Sequence, residues 1–486
     1  DPADLIKPTS SLTGCVPELR PVRNWYFDLP NFREQLGEIA ENLEADPEAR
    51  PVVSQTAKEF LVPPVIYIKN ELEADYRAIE SKLPVHEFHA AEGNKQSFEL
   101  EFANIESRDA ARDELTAAGI RFRTGKALVP FRISGNVEWG VKVPEMEGVD
   151  DLTVWCWPES LWAPVSFSAT ALEARGEELS AVRDWWCSPD ARVYQFIGQD
   201  NLYFYGVAQP ALWMALERGN AGVAYPQPGD LQQTTLIANH HILFGKVKAS
   251  SSGAVKPPSA DQLLEHYTVD QLRAHWLGLG LDVKSVGFKP KPFEADEAKR
   301  NDPRVADPVL KEGALLTNVF NRLARSCFYE AQKNFEGFMP LGAPAADVVA
   351  RCHKAMAEYE AIMHKAELHS IMTLMDDFIR WAQKHWADGI KAAEGADDAD
   401  MRRQILVDSF FTLRVATLLM HPVAPDGCEK IVEHLGLPAE RVFSWNAPFE
   451  GMAELCDVAD VEACRHAIVE LPPRTDFFAK HESQFK

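Results

Sequence analysis

Three shortages stand out in this sequence, and each excludes a class of protein. The eight cysteines (15, 156, 187, 327, 352, 428, 456 and 464) form no C-x-x-C pair. They read as reduced thiols, neither a disulfide frame nor a zinc site. No apolar run reaches the roughly 18 residues that a membrane helix needs, and no signal peptide opens the chain, so a soluble cytoplasmic protein with no membrane contact is expected. Positive charge is also short, with 50 Lys and Arg against 73 Asp and Glu and a net charge of −23. A general electrostatic grip on nucleic acid draws on clustered Lys and Arg, so any RNA contact must be local.

What the sequence does have is length and apolar content. At 486 residues, 46% of them hydrophobic, it should hold three or four domains. Residues 1–44 are Pro-rich and then helical (NFREQLGEIAENLEA). Residues 45–130 form a separate region. From about residue 58 it reads strand (PPVIYIK), helix (NELEADYRAIESKL), strand (VHEFHAA), strand (SFELEF), helix (SRDAARDELTAAG) and strand (IRFRTGKALV). That β-α-β-β-α-β order predicts a ferredoxin-like α+β unit. His86 and His89 sit on its second strand and read as ordinary strand residues. Residues 131–288 alternate short apolar strands with helical patterns, which indicates a parallel α/β sheet. After a charged, Pro-bearing linker (289–308), apolar residues at three- and four-residue spacing predict an antiparallel helical bundle to about 470. The final stretch, 471–486, reads as a Pro-rich tail.

Four patterns carry chemistry. The apolar run LIANHHILFG leads into Lys248-Ala249-Ser250-Ser251-Ser252-Gly253. An ammonium, three hydroxyls and a glycine that admits close backbone approach suit a polyphosphate, although such loops also serve as plain turns. In FIGQDNLYFYG, the Gly198-Gln199-Asp200 element places a carboxylate at a strand end, where it can accept ribose hydroxyls or cap the next helix. WCWPESLW carries Trp157 and Ser160. Asn321 and Arg325, four apart in VFNRLARS, share one helix face, and Trp445 follows in RVFSWNAPF.

In this order the patterns resemble the C-terminal part of a class I aminoacyl-tRNA synthetase, nearest to the methionyl-tRNA synthetase family. Residues 1–44 and 131–470 carry the likeness, and the insert stands outside it. KASSS occupies the place of the family's KMSKS, with Ala249 for Met and Ser251 for the second Lys, while HIGH, the other signature, is absent. The resemblance implies the second half of a Rossmann-type catalytic domain, with residues 1–44 closing a connective peptide. It also implies ATP with Mg2+, Lys248 and Ser250 to Ser252 as catalytic residues, and Gly198, Asp200 and Gly253 at the nucleotide. Trp157, Ser160, Asn201 and Tyr205 would line the amino-acid pocket, although Asn201 and Tyr205 depart from the family's apolar residue and histidine. Asn321, Arg325 and Trp445 match the readers of a CAU anticodon on a methionine-type tRNA, which fits unpaired bases being stacked and bonded at their edges. Ser10 and Thr13 replace the cysteines of the family's zinc knuckle, so no structural zinc is expected. The function implied is ATP-dependent adenylation of methionine and its transfer to tRNA. Without HIGH, this chain by itself is not expected to run the reaction at speed. Two other readings stay open, a non-charging tRNA-binding or regulatory relative and a ligase that adenylates a different amino acid.

Overall fold

A computed structural model describes residues 9, 14–16, 18, 21–219, 223–244, 247–248 (backbone only), 256–445, 451–456 and 464–485. Ser10, Thr13, Ser250, Ser251, Ser252 and Gly253 lie outside the described residues, as does the side chain of Lys248. The chain divides into two compact units, Asp1–Ile237 and Ala238–Lys486.

In the first unit, β1 (Tyr26–Phe27) leads to an antiparallel pair of helices, α1 (Arg33–Ala45) and α2 (Pro51–Leu61). Proline at the first position of α2 supplies a preset φ where its missing N–H costs nothing. Sequence periodicity did not reveal this helix. Its register with α1 is held by Arg33, which donates to the Leu61 carbonyl, and by the Lys58–Glu44 pair.

The insert follows as β2 (Val65–Lys69), α3 (Glu73–Ile79), β3 (His86–His89), β4 (Ser97–Phe102), α4 (Ile105–Ala117) and β5 (Phe122–Thr124). Its strands lie in the order β3-β4-β2-β5, and every neighbouring pair is antiparallel. Alternation fixes the faces. Ile66, Ile68, Phe98, Leu100 and Phe102 turn inward against Tyr76, Ala111 and Leu115, while Tyr67, Glu99, Glu101 and Arg123 stand on the opposite face. Burying each large side chain is worth about 1.5–3 kcal/mol. Nine fully buried or nearly buried residues form this core, none of them shared with the cluster beside it. Asn104 caps α4 by accepting from the Ser107 N–H at 2.9 Å.

After the insert the chain returns to the first core. β6 (Phe131–Arg132) pairs with β1, and β7 (Ser134–Gly135) pairs antiparallel with β8 (Thr153–Val154). Helix α5 (Cys156–Ala174), the short α6 (Val182–Trp186), β9 (Tyr194–Gly198) and α7 (Gln209–Arg218) follow, and the unit ends within β10 (Thr235–Asn239), which pairs with β9. Leu29, Phe32, Leu36, Leu128, Phe131, Leu161, Val207 and Ala211 form its core.

The second unit opens with β11 (Ile242–Phe244) and β12 (Val247–Lys248), then α8 (Ala260–Leu264), α9 (Val269–Gly278) and β13 (Val286–Phe288). β12 pairs antiparallel with β11, whereas the helices between Lys248 and Val286 give the crossover that lets β13 run parallel to β11. The sheet expected to be parallel is therefore mixed and made of short ladders. Both α8 and α9 begin with a reciprocal capping box, Ser259/Gln262 and Thr268/Gln271.

Beyond the linker, which contains α10 (Glu297–Asn301), the remainder is mostly helical: α11 (Pro308–Ala314), α12 (Asn321–Asn334), α13 (Ala346–His364), α14 (His369–Ala396), α15 (Ala399–Met420) and α16 (Pro425–Leu435). A small ladder, β14 (Phe338–Pro340) with β15 (Arg465–Ala467), lies among them. One large core holds these helices together, and Leu471, Phe477 and Phe478 belong to it. The terminal stretch read from sequence as a tail is thus part of the packed helical unit. Gly427 permits this, since a Cβ there would collide with the Phe478 ring.

Candidate functional site

Within the first unit, α5 and the segment after β9 carry the expected Trp157, Ser160, Asp200, Asn201 and Tyr205, and a ring contact between Trp157 and Phe204 joins the two elements. Trp157 and Ser160 sit three apart on the opening turns of α5. β9 ends at Gly198 and passes into a 3-10 turn, Gln199–Asn201, followed by a π-helical turn, Phe204–Ala208, that holds Tyr205. The Trp157 indole stacks on Phe204 with ring centroids 3.4 Å apart and planes within 7°. One indole face is therefore covered by a neighbour, and Trp157 packs against the first core as well as bordering the turn. Extra residues in π turns are common where a helix must present particular side chains.

Pro164 inside α5 removes a helical N–H. Nearby, the buried Gln209 at the start of α7 donates to the Leu161 carbonyl at 2.9 Å, which ties the two helices together. Asp200 is exposed, and its carboxylate folds back over Gly198, where a Cβ would come to 2.7 Å of Oδ1. Burial pushes the neighbouring Tyr203 hydroxyl up to about 12, so the group stays neutral at any working pH.

In the second unit, Lys248 is the last residue of β12, paired across the hairpin with Leu243. A strand end is where a phosphate-binding loop begins in α/β folds. Helix α9 carries Asp270, a buried carboxyl whose Oδ2 accepts from the Gly427 N–H at 3.1 Å. Burial raises this group to about 6, against the stabilising bond from Gly427.

Helix α12 carries the expected Asn321 and Arg325, and the structure separates their roles. Asn321 is fully buried. Its amide donates to the Thr317 and Phe478 carbonyls, both at 2.9 Å, and accepts from the Phe478 N–H at 2.9 Å. Arg325 is part-exposed and donates from Nη1 to Asp476 at 2.7 Å. One helix face does hold both residues, but Asn321 offers no free amide to solvent because the terminal segment has taken it. Farther along the helix, Tyr329 donates to the Pro472 carbonyl at 3.0 Å, and Gln332 exchanges two bonds with Leu471, at 3.1 and 3.3 Å. Trp445 is 39% exposed, with its ring 5.6 Å from Tyr359. Sequence reasoning missed Phe204, Gln209 and Asp476. The paired Phe477-Phe478 in an otherwise polar ending was the signal that the segment is buried.

As for metals, Glu87, His89 and Glu101 on the polar face of the insert bring possible ligand atoms within 4.8 Å of one another. His89 lies 3.3 Å from Glu101, so a surface ion pair accounts for the grouping when His89 is protonated. Among the described residues, no helix is long and apolar enough to cross a membrane.

Residues 93–296 match the family described as tRNA synthetases class I (M). The methionine–tRNA ligase of Korarchaeum cryptofilum is 23% identical across 92% of this chain and 64% of its own length. That of Thermobifida fusca is 22% identical, over 100% of this chain and 66% of its own length. Both relatives extend well beyond what this chain spans. A solved structure of Mycobacterium tuberculosis methionyl-tRNA synthetase in complex with methionyl-adenylate superposes with a TM-score of 0.57, at 19% identity, over 97% of this chain and 72% of that one. At such identity the structural likeness speaks for the fold, a mixed α/β region followed by a helical one. The family match over residues 93–296 and the sequence relatives make this chain similar to class I tRNA synthetases of the M type and to methionine–tRNA ligases.

Proposed function

We propose that this chain serves ATP-dependent adenylation of methionine and its transfer to a methionine-type tRNA, as a cytoplasmic protein. The observation that carries the reading is the arrangement around β9. Asp200 lies just past the end of β9, four residues before Phe204 in the π turn on which the Trp157 indole stacks, inside the region 93–296 that matches the family.

In this reading residues 131–288 are the second half of a Rossmann-type catalytic domain and 45–130 a ferredoxin-like insert. Asp200 and Gly198 receive the ribose, and Trp157, Ser160, Asn201 and Tyr205 border the amino acid, where indole against a thioether is a favourable soft contact. Lys248, with Ser250 to Ser252 and Gly253, faces the phosphates. Mg2+ bound with ATP would neutralise part of their charge. The ammonium of Lys248 acts on the charge that builds as pyrophosphate leaves, so its contribution belongs to the rate more than to binding. The bundle of residues 289–470 takes the CAU anticodon, with Arg325 and Trp445 meeting the bases and Asn321 holding the segment beside them.

Titration of this chain with methionine-type tRNA, and with the same tRNA changed at one anticodon base, tests the reading. The unchanged tRNA should bind more tightly. Trp445→Ala should weaken it by about 1–3 kcal/mol, the scale of base stacking on an aromatic. Equal affinity of the native chain for both tRNAs would refute anticodon reading. Binding of a non-hydrolysable methionyl-adenylate analogue, compared with analogues of other amino acids, tests the pocket separately.

A further inference from the structure

The face of α12 that carries Arg325 is zipped to the chain's own terminal segment in antiparallel order. Gln332 meets Leu471, Tyr329 meets Pro472, Arg325 meets Asp476 and Asn321 meets Phe478. The two ends of the segment are anchored, because Leu471, Phe477 and Phe478 are at most 1% exposed. Between them, Thr475 closes a turn onto the Pro472 carbonyl at 2.8 Å. Asp476 is therefore mounted on rigid backbone, while its carboxylate and the Arg325 guanidinium stay about one-third exposed.

We infer that Asp476 is a positioning and specificity-determining residue for Arg325 in tRNA recognition, an inference that rests on the anticodon reading above. The argument is one of geometry and charge. A guanidinium offers five N–H donors in a fixed plane, and Asp476 takes one of them at Nη1. The rest remain available in an orientation that the carboxylate sets, which spares a long side chain some of the ordering it would otherwise undergo on binding. The same carboxylate cancels most of the charge that would attract a phosphate from any direction. What it leaves is a set of directional donors, suited to a base edge and poorly suited to non-specific backbone contact.

Asp476→Asn keeps the shape and removes the charge, and it lies on an exposed pair, so the fold should stand. The experiment titrates the native chain, Asp476→Asn, Arg325→Ala and the double variant with methionine-type tRNA and its anticodon-changed counterpart, at several salt concentrations. Asp476→Asn should lower discrimination between the two tRNAs about 3- to 10-fold. It should also raise affinity for the changed tRNA and steepen the salt dependence by roughly 0.7 in slope, one more phosphate engaged on a single strand. In the Arg325→Ala background the substitution should do nothing further. Unaltered discrimination and salt slope in Asp476→Asn would overturn the inference, as would an equal loss for both tRNAs or an undiminished effect without Arg325. If Arg325→Ala alone keeps native discrimination, the anticodon reading itself fails, whatever Asp476 does.

Discussion

Asn321→Ala should free the terminal segment from the helical unit without unfolding the unit itself. Asn321 is fully buried and exchanges two hydrogen bonds with the Phe478 backbone. Truncation leaves that N–H and C=O buried without partners, at about 1–3 kcal/mol for each unsatisfied group. Partial relaxation toward water reduces the total, and a net cost near 3 kcal/mol follows for keeping the segment docked. Each 1.4 kcal/mol is a factor of ten, so the opened population should rise on the order of 100-fold. Limited trypsin digestion reads this directly, since Arg474 and Lys480 flank Phe478. Cleavage tracks the open population while reclosing is fast. Cutting at Lys480 should accelerate about 100-fold in Asn321→Ala, with the helical circular dichroism retained at temperatures well below unfolding. Cleavage within threefold of the native rate would show that the buried aromatic rings, and not the Asn321 amide, hold the segment.

Three further outcomes are expected. Asp270 is raised to about 6 in the folded protein by burial, against about 3.9 unfolded. The native state therefore binds the extra proton between those values, and stability falls as pH rises from about 4 to 6; Asp270→Asn, which can still accept from Gly427, should raise the unfolding midpoint at pH 7.5 and do little at pH 4, and an equal effect at both would refute the sign. The insert, expressed as residues 62–126, should unfold cooperatively in urea because its core is its own, whereas a disordered spectrum would mean that its strands need their neighbours. Elemental analysis of the purified chain should find far less than one zinc per chain, given Ser10 and Thr13 in place of thiolates, and stoichiometric zinc would contradict that.

How much could be read in the sequence depended on how local each signal was. The insert was legible strand by strand because each face repeats with period two and each helix has its stop nearby: SFELEF buries Phe98, Leu100 and Phe102 in strict alternation. The long helices were legible for the same kind of reason, α14 and α15 repeating apolar positions over 28 and 22 residues. Helix α2 escaped because its apolar run merges into the following strand, and only the proline at its start marks the change. The mixed pairing of the short strands also escaped, since the direction of a ladder depends on how long the connections are and not on the strands themselves.

The candidate site was half legible for a related reason. Residue identity pointed to Asp200, Trp157 and Arg325, but it could not say what each would touch. Trp157 proves to be both a core residue and a wall of the turn, because Phe204, seven degrees from parallel, covers one of its faces. Asn321 and Arg325 look equivalent at a spacing of four, yet the one lies wholly inside and the other partly outside. The difference comes from a segment some 150 residues away, where two phenylalanines are buried and carry Asp476 with them. Helical spacing assigns a face, and only the long-range partner decides whether that face meets solvent, RNA or the chain's own end. Sequence resemblance proposes Asn321, Arg325 and Trp445 as a set, whereas hydrogen-bond accounting divides them into one buried clamp, one ion-paired cation and one exposed ring. That division is physical: a buried amide whose bonds are all made cannot also recognise a base, but a part-exposed guanidinium with donors to spare is free to do so.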